Sequence, residues 1–322
     1  MTKRTVHLMT QRIKILSPKL DIIFKLLFGS ENSIEILTDF LLAVLNLSPD
    51  EYDEITISNP FLLQEYKGDK LGILDVKIKL KSGKILNIEI QVDPMPFMES
   101  RIVFYVSKLI TEQIGESDKY GKIKHVISIV ITDHTLIKQS DKFHHKFGLY
   151  DIENKVLLTD ILEIHTLEIP KARKLFNDTE TPNPQLLDWM KFLDAKTEEE
   201  LNVLAQKSPV MKKATMRLLE LSADEKARQL YEARLKEQRD NATREEGAAT
   251  KVQLDIAKNL LSMKMSVADV SSATGLSRDE VETLRNDLPA RKCKIVEQLP
   301  KDLLKQAPEA VSVIITLEDE GM

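Results

Sequence analysis

The chain has a single cysteine, Cys293, in 322 residues. That excludes an internal disulfide framework and a cysteine-rich zinc module, and it fits a reducing compartment. Glycine is scarce, ten in all. No GxxxxGK[ST] phosphate loop and no GxSxG elbow occurs, which argues against a nucleotide-triphosphatase and a serine hydrolase. No apolar run approaches the roughly 20 residues of a membrane helix. The opening MTKRTVHLMTQRIK carries no stretch suited to a secretory signal. The expectation is a soluble, cytoplasmic protein without a membrane partner. Charge of one sign is lacking too: 46 Lys and Arg stand against 51 Asp and Glu, for a net −5. Any nucleic-acid role therefore needs a local basic patch. His125, His134, His144, His145 and His165 show no compact zinc spacing. What remains, 42% hydrophobic and 30% charged, is globular, and the length exceeds one ordinary core.

The first 170 residues alternate helical and strand patterns. LDIIFKLLFG (20–29) reads as a helix stopped by Gly29, and a second helix runs from about Asn32 to Leu47. A strand near 54–58 follows. A helix is expected over about Phe97–Ile114, then a buried strand at HVISIVITD (125–133), and one or two strands in KVLLTDILEIHTLEI (155–169). From Pro170 onward the pattern is helical, with a turn or linker at 179–185 and a highly charged helix over Asp224–Arg244. The expected division is 1–170, an α/β core; 171–250, a charged helical region; 251–288, a helix-turn-helix-like module; and 289–322, an unassigned tail.

The clearest local signal is a hairpin. Leu71–Leu80 and Lys84–Val92 both alternate with period two. A three-residue Lys81-Ser82-Gly83 loop, with Gly83 left-handed, keeps the apolar faces together. That register sets Asp75 opposite Glu89 and Lys77 opposite Asn87. Opposed carboxylates about 4.5–5.5 Å apart at Cβ repel and shift each other's pKa unless a cation intervenes. Asp75, Glu89 and Gln91, with Lys77 beside them, offer hard oxygen ligands suited to Mg²⁺. The plainer alternative is a solvated sheet face with paired charges.

GILDVKIKLKSGKILNIEIQV (72–92) resembles the D…(D/E)xK core of the PD-(D/E)XK nuclease superfamily, in the variant with Gln at the last position. The surrounding DIIFKLLFG, RIVFYVSKLITEQI, HVISIVITD and LLTDILEIHTLEIPK resemble, in order, the Rpn family of recombination-promoting nucleases, also labelled transposases. The resemblance continues to about residue 288. It implies a restriction-endonuclease-like mixed sheet flanked by helices, an α/β fold followed by a helical C-terminal region, and Mg²⁺-dependent DNA cleavage. It matches Asp75 to the metal-binding aspartate and Glu89 to the acid of an ExQ element. Gln91 stands at the superfamily's lysine position. Being neutral, it leaves the basic role to Lys77 or to Lys108, which shares a helical stripe with Arg101, Tyr105 and Glu112. Asp21, spaced i, i+4 from Lys25 for a surface pair, and Glu35 are candidate outer members of the site, as is Tyr105.

Residues 101–150 carry eight Lys and Arg against five acids. Lys119, Lys122 and Lys124, with Arg101, form the expected phosphate-backbone contact. MSVADVSSATGLSRDEVETL (265–284) has the cadence of a helix-turn-helix, with apolar Val267 and Val270, small Ala273, Gly275 at the turn, then Leu276, Ser277 as cap, and Val281 and Leu284 inward. Its second helix exposes an acidic balance that phosphates repel, which favours packing or partner contact over base reading. The expected function is Mg²⁺-dependent DNA phosphodiester hydrolysis with little sequence choice, linked to recombination, mobile DNA or defence. The alternatives are a catalytically retired core that binds DNA or protein, and RNA cleavage. Self-association is expected through the C-terminal helices.

Overall fold

The computed structural model describes residues 14–45, 55–58, 75–178 and 180–287. The chain divides into two compact units, residues 1–237 and 238–322.

The first unit is built on a six-stranded sheet in the order β1-β2-β3-β4-β6-β5. The strands are β1 (Ile55–Ser58), β2 (Val76–Leu80), β3 (Ile85–Gln91), β4 (Val126–Thr132), β5 (His144–Tyr150) and β6 (Leu157–Glu168). β1, β2 and β3 form an antiparallel meander. β3, β4 and β6 run parallel, and β5 pairs antiparallel with β6 at the far edge. Every residue of β4 is buried, the aliphatic ones together with Ser128 and Thr132, as in a strand with both faces covered. β5 has no counterpart among the strands expected from the sequence, and within 155–169 the chain forms one long strand, Leu157–Glu168.

The β2–β3 hairpin takes the expected register. Lys77 lies opposite Asn87, and the Leu80 N–H donates to the Lys84 carbonyl at 3.0 Å. Gly83 has φ +86°, and a Cβ there would meet the Lys124 side chain at 3.3 Å. Left-handed backbone and close approach both favour glycine. The first hairpin strand begins only at Val76, and 71–74 lie outside the described residues.

One sheet face is covered by α1 (Asp21–Phe28), α2 (Ile34–Val44), α5 (Pro184–Asp194) and α7 (Pro209–Ala223). Phe24, Phe28, Phe40, Trp189 and Phe192 interlock there, with ring centroids 4.6–5.8 Å apart. The Trp189 indole N–H reaches the Asp39 carboxylate at 2.9 Å, so the buried ring keeps its polar partner. This core includes Ile88 and Ile90 from β3 as well as Leu186 to Leu218 from the helices, so residues 184–218 share the sheet's core. Helix starts follow their caps. Asn183 and Ser208 each accept the N–H three residues on, with proline next in the chain. Thr197 and Glu200 form a capping box on α6 (Glu198–Ala205). α4 (Ile169–Arg173) continues directly from β6.

On the other sheet face lies α3 (Met98–Thr111), packing Tyr105, Val106 and Leu109 against Val126. The Arg101–Tyr105–Lys108–Glu112 stripe, expected as a polar side of the helix, therefore turns inward in part: Tyr105 is buried.

α8 (Glu225–Ser262) is one 38-residue helix, and the division between units falls inside it. In the second unit its C-terminal part joins α9 (Val267–Thr274) and α10 (Arg278–Asp287) around Ala257, Leu261, Val270, Leu276 and Val281. Gly275 is left-handed at φ +74°, and Ser277 forms a reciprocal cap with Glu280. Ala273 is exposed. Residues 288–322, including the tail, lie outside the described residues. Among the described residues, no helix is long and apolar enough to cross a membrane.

Candidate functional site

β3 outruns β2 by the residues after Ile88, and the site forms in that step. Asp75 immediately precedes β2, and its Oδ2 accepts the Ile90 N–H at 2.9 Å. A carboxylate thus occupies the position where a neighbouring strand would supply a carbonyl. The register that pairs Val76 with Ile88 continues to set Asp75 opposite Glu89. Glu89 is only 7% exposed, and its Oε1 accepts the Asn87 amide at 3.0 Å.

The electrostatics are those of two acids confined away from water. Burial pushes the Glu89 carboxyl up to about 7; the Asn87 hydrogen bond pulls the other way, and the nearby Asp75 charge adds to the rise. Burial raises Asp75 above the usual carboxylate range as well, against the pull of Lys25. Lys25 Nζ stands 3.1 Å from Asp75 Oδ1. Arg101 and then Lys25 are the cations acting most on Glu89. The Arg101 guanidinium sits 5.0 Å above the Tyr105 ring, and its Nε is buried without a hydrogen-bond partner.

The site residues expected from the sequence are only partly brought together. Asp75, Glu89 and Arg101 converge, with Tyr105 beneath Arg101. Gln91 ends β3, half-buried, and donates its amide to the Asp93 carbonyl at 3.1 Å. Lys77 is drawn off by an ion pair with Glu112 at the end of α3. Lys108 is half-buried on the same helix. Asp21 pairs with Arg234 at 2.8 Å, while Lys25 pairs with Asp75, so these helix neighbours are each engaged by distant partners. Glu35 is exposed and paired with Lys213.

Lys119, Lys122 and Lys124 are exposed, and Lys122 is paired with Asp118. They precede β4, whose first residue lies beside Ile85, whereas Glu89 lies beside Val130. The separation along the strand is four residues, about 13 Å or more at the rise of a strand. They form a rim at the opposite end of β3 from the acids.

Two contributors escaped local reading. Lys25 faces Asp75 across 50 positions of sequence, a contact its own helix pattern does not carry. Asn87 is fully buried, and its Oδ1 has no hydrogen-bond partner. Its signal in the sequence was a polar residue two before Glu89 on the same face.

This donor set fits a hard divalent cation. Burial disfavours the charged form of both adjacent carboxylates, and the amide oxygen of Asn87, whose Nδ2 donates to Glu89, is buried without a hydrogen-bond partner. Mg²⁺ is held by one or two carboxylates, with water and phosphate completing its shell. Among the described residues, no group of three or more His, Cys, Asp or Glu side chains is arranged to hold a metal by itself. Two of the histidines form a chain with an acid: His144 Nε2 meets His165 Nδ1 at 2.8 Å, and His165 Nε2 meets Glu163 at 2.5 Å.

Residues 18–248 match the protein family described as PD-(D/E)XK nuclease family transposase. No curated protein and no solved structure matches the chain.

Proposed function

The chain belongs to the PD-(D/E)XK nuclease family transposases, and on that premise we propose that it is a Mg²⁺-dependent endonuclease that hydrolyses DNA phosphodiester bonds with little sequence choice. The observation that carries this reading is the pairing of Asp75 with Glu89 in a buried step of the sheet, with Lys25 at 3.1 Å. Asp75 and Glu89 would hold the metal. Bound there, Mg²⁺ supplies charge to a phosphoryl oxygen and lowers the pKa of an attacking water.

The protein's own groups set the geometry around that centre. Asp75 is fixed by the Ile90 N–H and Glu89 by Asn87, so both acids are held before substrate arrives. Lys25 is the basic partner that the neutral Gln91 cannot be. Its ammonium can leave Asp75 to orient a water or meet the negative charge that develops on phosphate. Arg101 provides a second cation beside Glu89. Lys77, tied to Glu112, and Lys108 are secondary candidates for the basic role. Gln91 positions the water or the phosphate by hydrogen bonding.

Lys119, Lys122 and Lys124 would contact backbone phosphates on one side of the cut. Their distance from Glu89 corresponds to roughly four base-pair steps at about 3.4 Å each. The exposed face of α10 carries Asp279 and Glu280, so it is a poor base reader, in keeping with weak sequence choice. The biological setting that fits is recombination, mobile DNA or defence.

The test is supercoiled plasmid incubated with the full chain and Mg²⁺, beside Asp75→Ala and Glu89→Ala. Wild type should nick, and each variant should lose at least about 10²-fold in rate. Equal nicking by all three would sink the assignment. Parallel reactions on single-stranded RNA decide the substrate.

A further inference from the structure

β5 is the outer edge of the sheet among the described residues; its pairing with β6 is regular over His144–Gly148 and shifts register only at Gly148/Leu149 and Leu149/Tyr150. It has seven residues, no proline, and one central lysine. That lysine, Lys146, is neutralised by Glu163 at 2.9 Å. Among the described residues no strand lies on the outer side of β5, and unpaired edge groups offer a template for another strand.

The hairpin beyond it is apolar and open to water. Phe147, Leu149, Tyr150, Ile152, Val156 and Leu158 are all exposed, Ile152 at 84% and Leu158 at 79%. A cluster of large apolar side chains on one hairpin marks an interaction site more often than a free surface. The tip is stiff. Asp151 Oδ1 accepts the Glu153 and Asn154 N–H groups at 2.9 and 2.6 Å, and the Asp151 N–H returns to the Val156 carbonyl.

Charge selects the occupant. The N-terminal end of the edge carries Lys138 and Lys142 against Asp141, with Lys146 already paired to Glu163. The hairpin end carries Asp151, Glu153 and Asp160 against Lys155. One end is net positive and the other net negative. A two-fold axis near the middle of β5 lays each end on its opposite in a second copy. Antiparallel strand pairing follows from the same rotation, as in isologous interfaces generally.

We infer that the β5 edge and the β5–β6 hairpin form a homodimer contact, in which β5 pairs antiparallel with β5 of a second copy. The C-terminal helices are one route to self-association suggested by the sequence; the sheet edge is another. The contact does not depend on the nuclease reading.

Sedimentation of the full chain at micromolar concentration tests it. Wild type should be dimeric, and Leu158→Glu should weaken the dimer by about tenfold or more without loss of fold, since that side chain lies in water in the monomer. Lys142→Glu and Glu153→Lys should each weaken self-association, because each sets like charges together at both ends. Mixing the two variants should restore a heterodimer, since opposite charges then meet again. A monomeric wild type, a dimer indifferent to Leu158→Glu, or a mixture no tighter than either charge variant would overturn the inference.

Discussion

Glu89→Gln removes a charge that the fold makes costly, so it should stabilise the metal-free protein. The Glu89 carboxyl is pushed from an ordinary 4.5 up to about 7, chiefly by burial. At about 1.36 kcal/mol per pKa unit, holding it ionised in the folded state costs about 3 kcal/mol. The sign follows from the direction of the shift. The folded protein binds the proton more tightly than the unfolded chain, so wild type loses stability as pH rises from 4.5 to about 7, and the loss is complete above that. Gln has the same shape, keeps an oxygen for the Asn87 amide, and has no charge to bury. The gain should therefore be near zero at pH 4.5 and about 3 kcal/mol at pH 8. Urea unfolding can be followed by fluorescence, because the single tryptophan, Trp189, sits in the core that also contains Ile88 and Ile90. Saturating Mg²⁺ should narrow the gap, by about 1.4 kcal/mol for each tenfold by which the variant's metal site is weaker than that of wild type. A Gln variant equally stable relative to wild type at pH 4.5 and pH 8 would refute the buried-charge argument.

Three other outcomes follow from the same contacts. Lys25→Ala should lower plasmid nicking by about 10²-fold, and Lys25→Arg should recover part of it, whereas Lys77→Ala should cost only a few-fold; the reverse ranking would return the basic role to Lys77. Nicking at limiting Mg²⁺ should climb about tenfold per pH unit below 7 and level off above, as Glu89 releases its proton; a flat profile from pH 5.5 to 8 would disconnect Glu89 from the metal. Gly83→Ala should cost about 1–2 kcal/mol in urea unfolding, from the left-handed backbone and the Lys124 contact, and an unchanged midpoint would show that the turn adapts freely.

The hairpin was legible because two independent constraints agree on it. Period-two alternation fixes the faces, and Gly83 selects the loop that keeps them together. β4 was legible because a strand covered on both faces is mostly apolar: VISIVIT has five aliphatic residues to one serine and one threonine, both buried. β5 was not, since HHKFGLY lies on an edge with one side open and has no clean alternation. The stripe on α3 showed the limit of periodicity. It marked a polar side, but that side meets the polar face of the sheet, where Lys77 takes Glu112 and Tyr105 is buried. Asp75 and Glu89 could be paired from register alone. Lys25 could not, because its nearest sequence partner, Asp21, is claimed by Arg234 from another helix. Contacts chosen by tertiary packing leave no trace in a local pattern.

The claim that Asp75 and Glu89 together hold a divalent metal is open to one direct measurement: Mn²⁺ binding to the full chain at pH 8, followed by electron paramagnetic resonance. The pairing of Asp75 with Glu89 predicts that wild type takes up Mn²⁺ and that Asp75→Asn and Glu89→Gln each weaken the site by about tenfold or more. Uptake by both variants equal to that of wild type would contradict it.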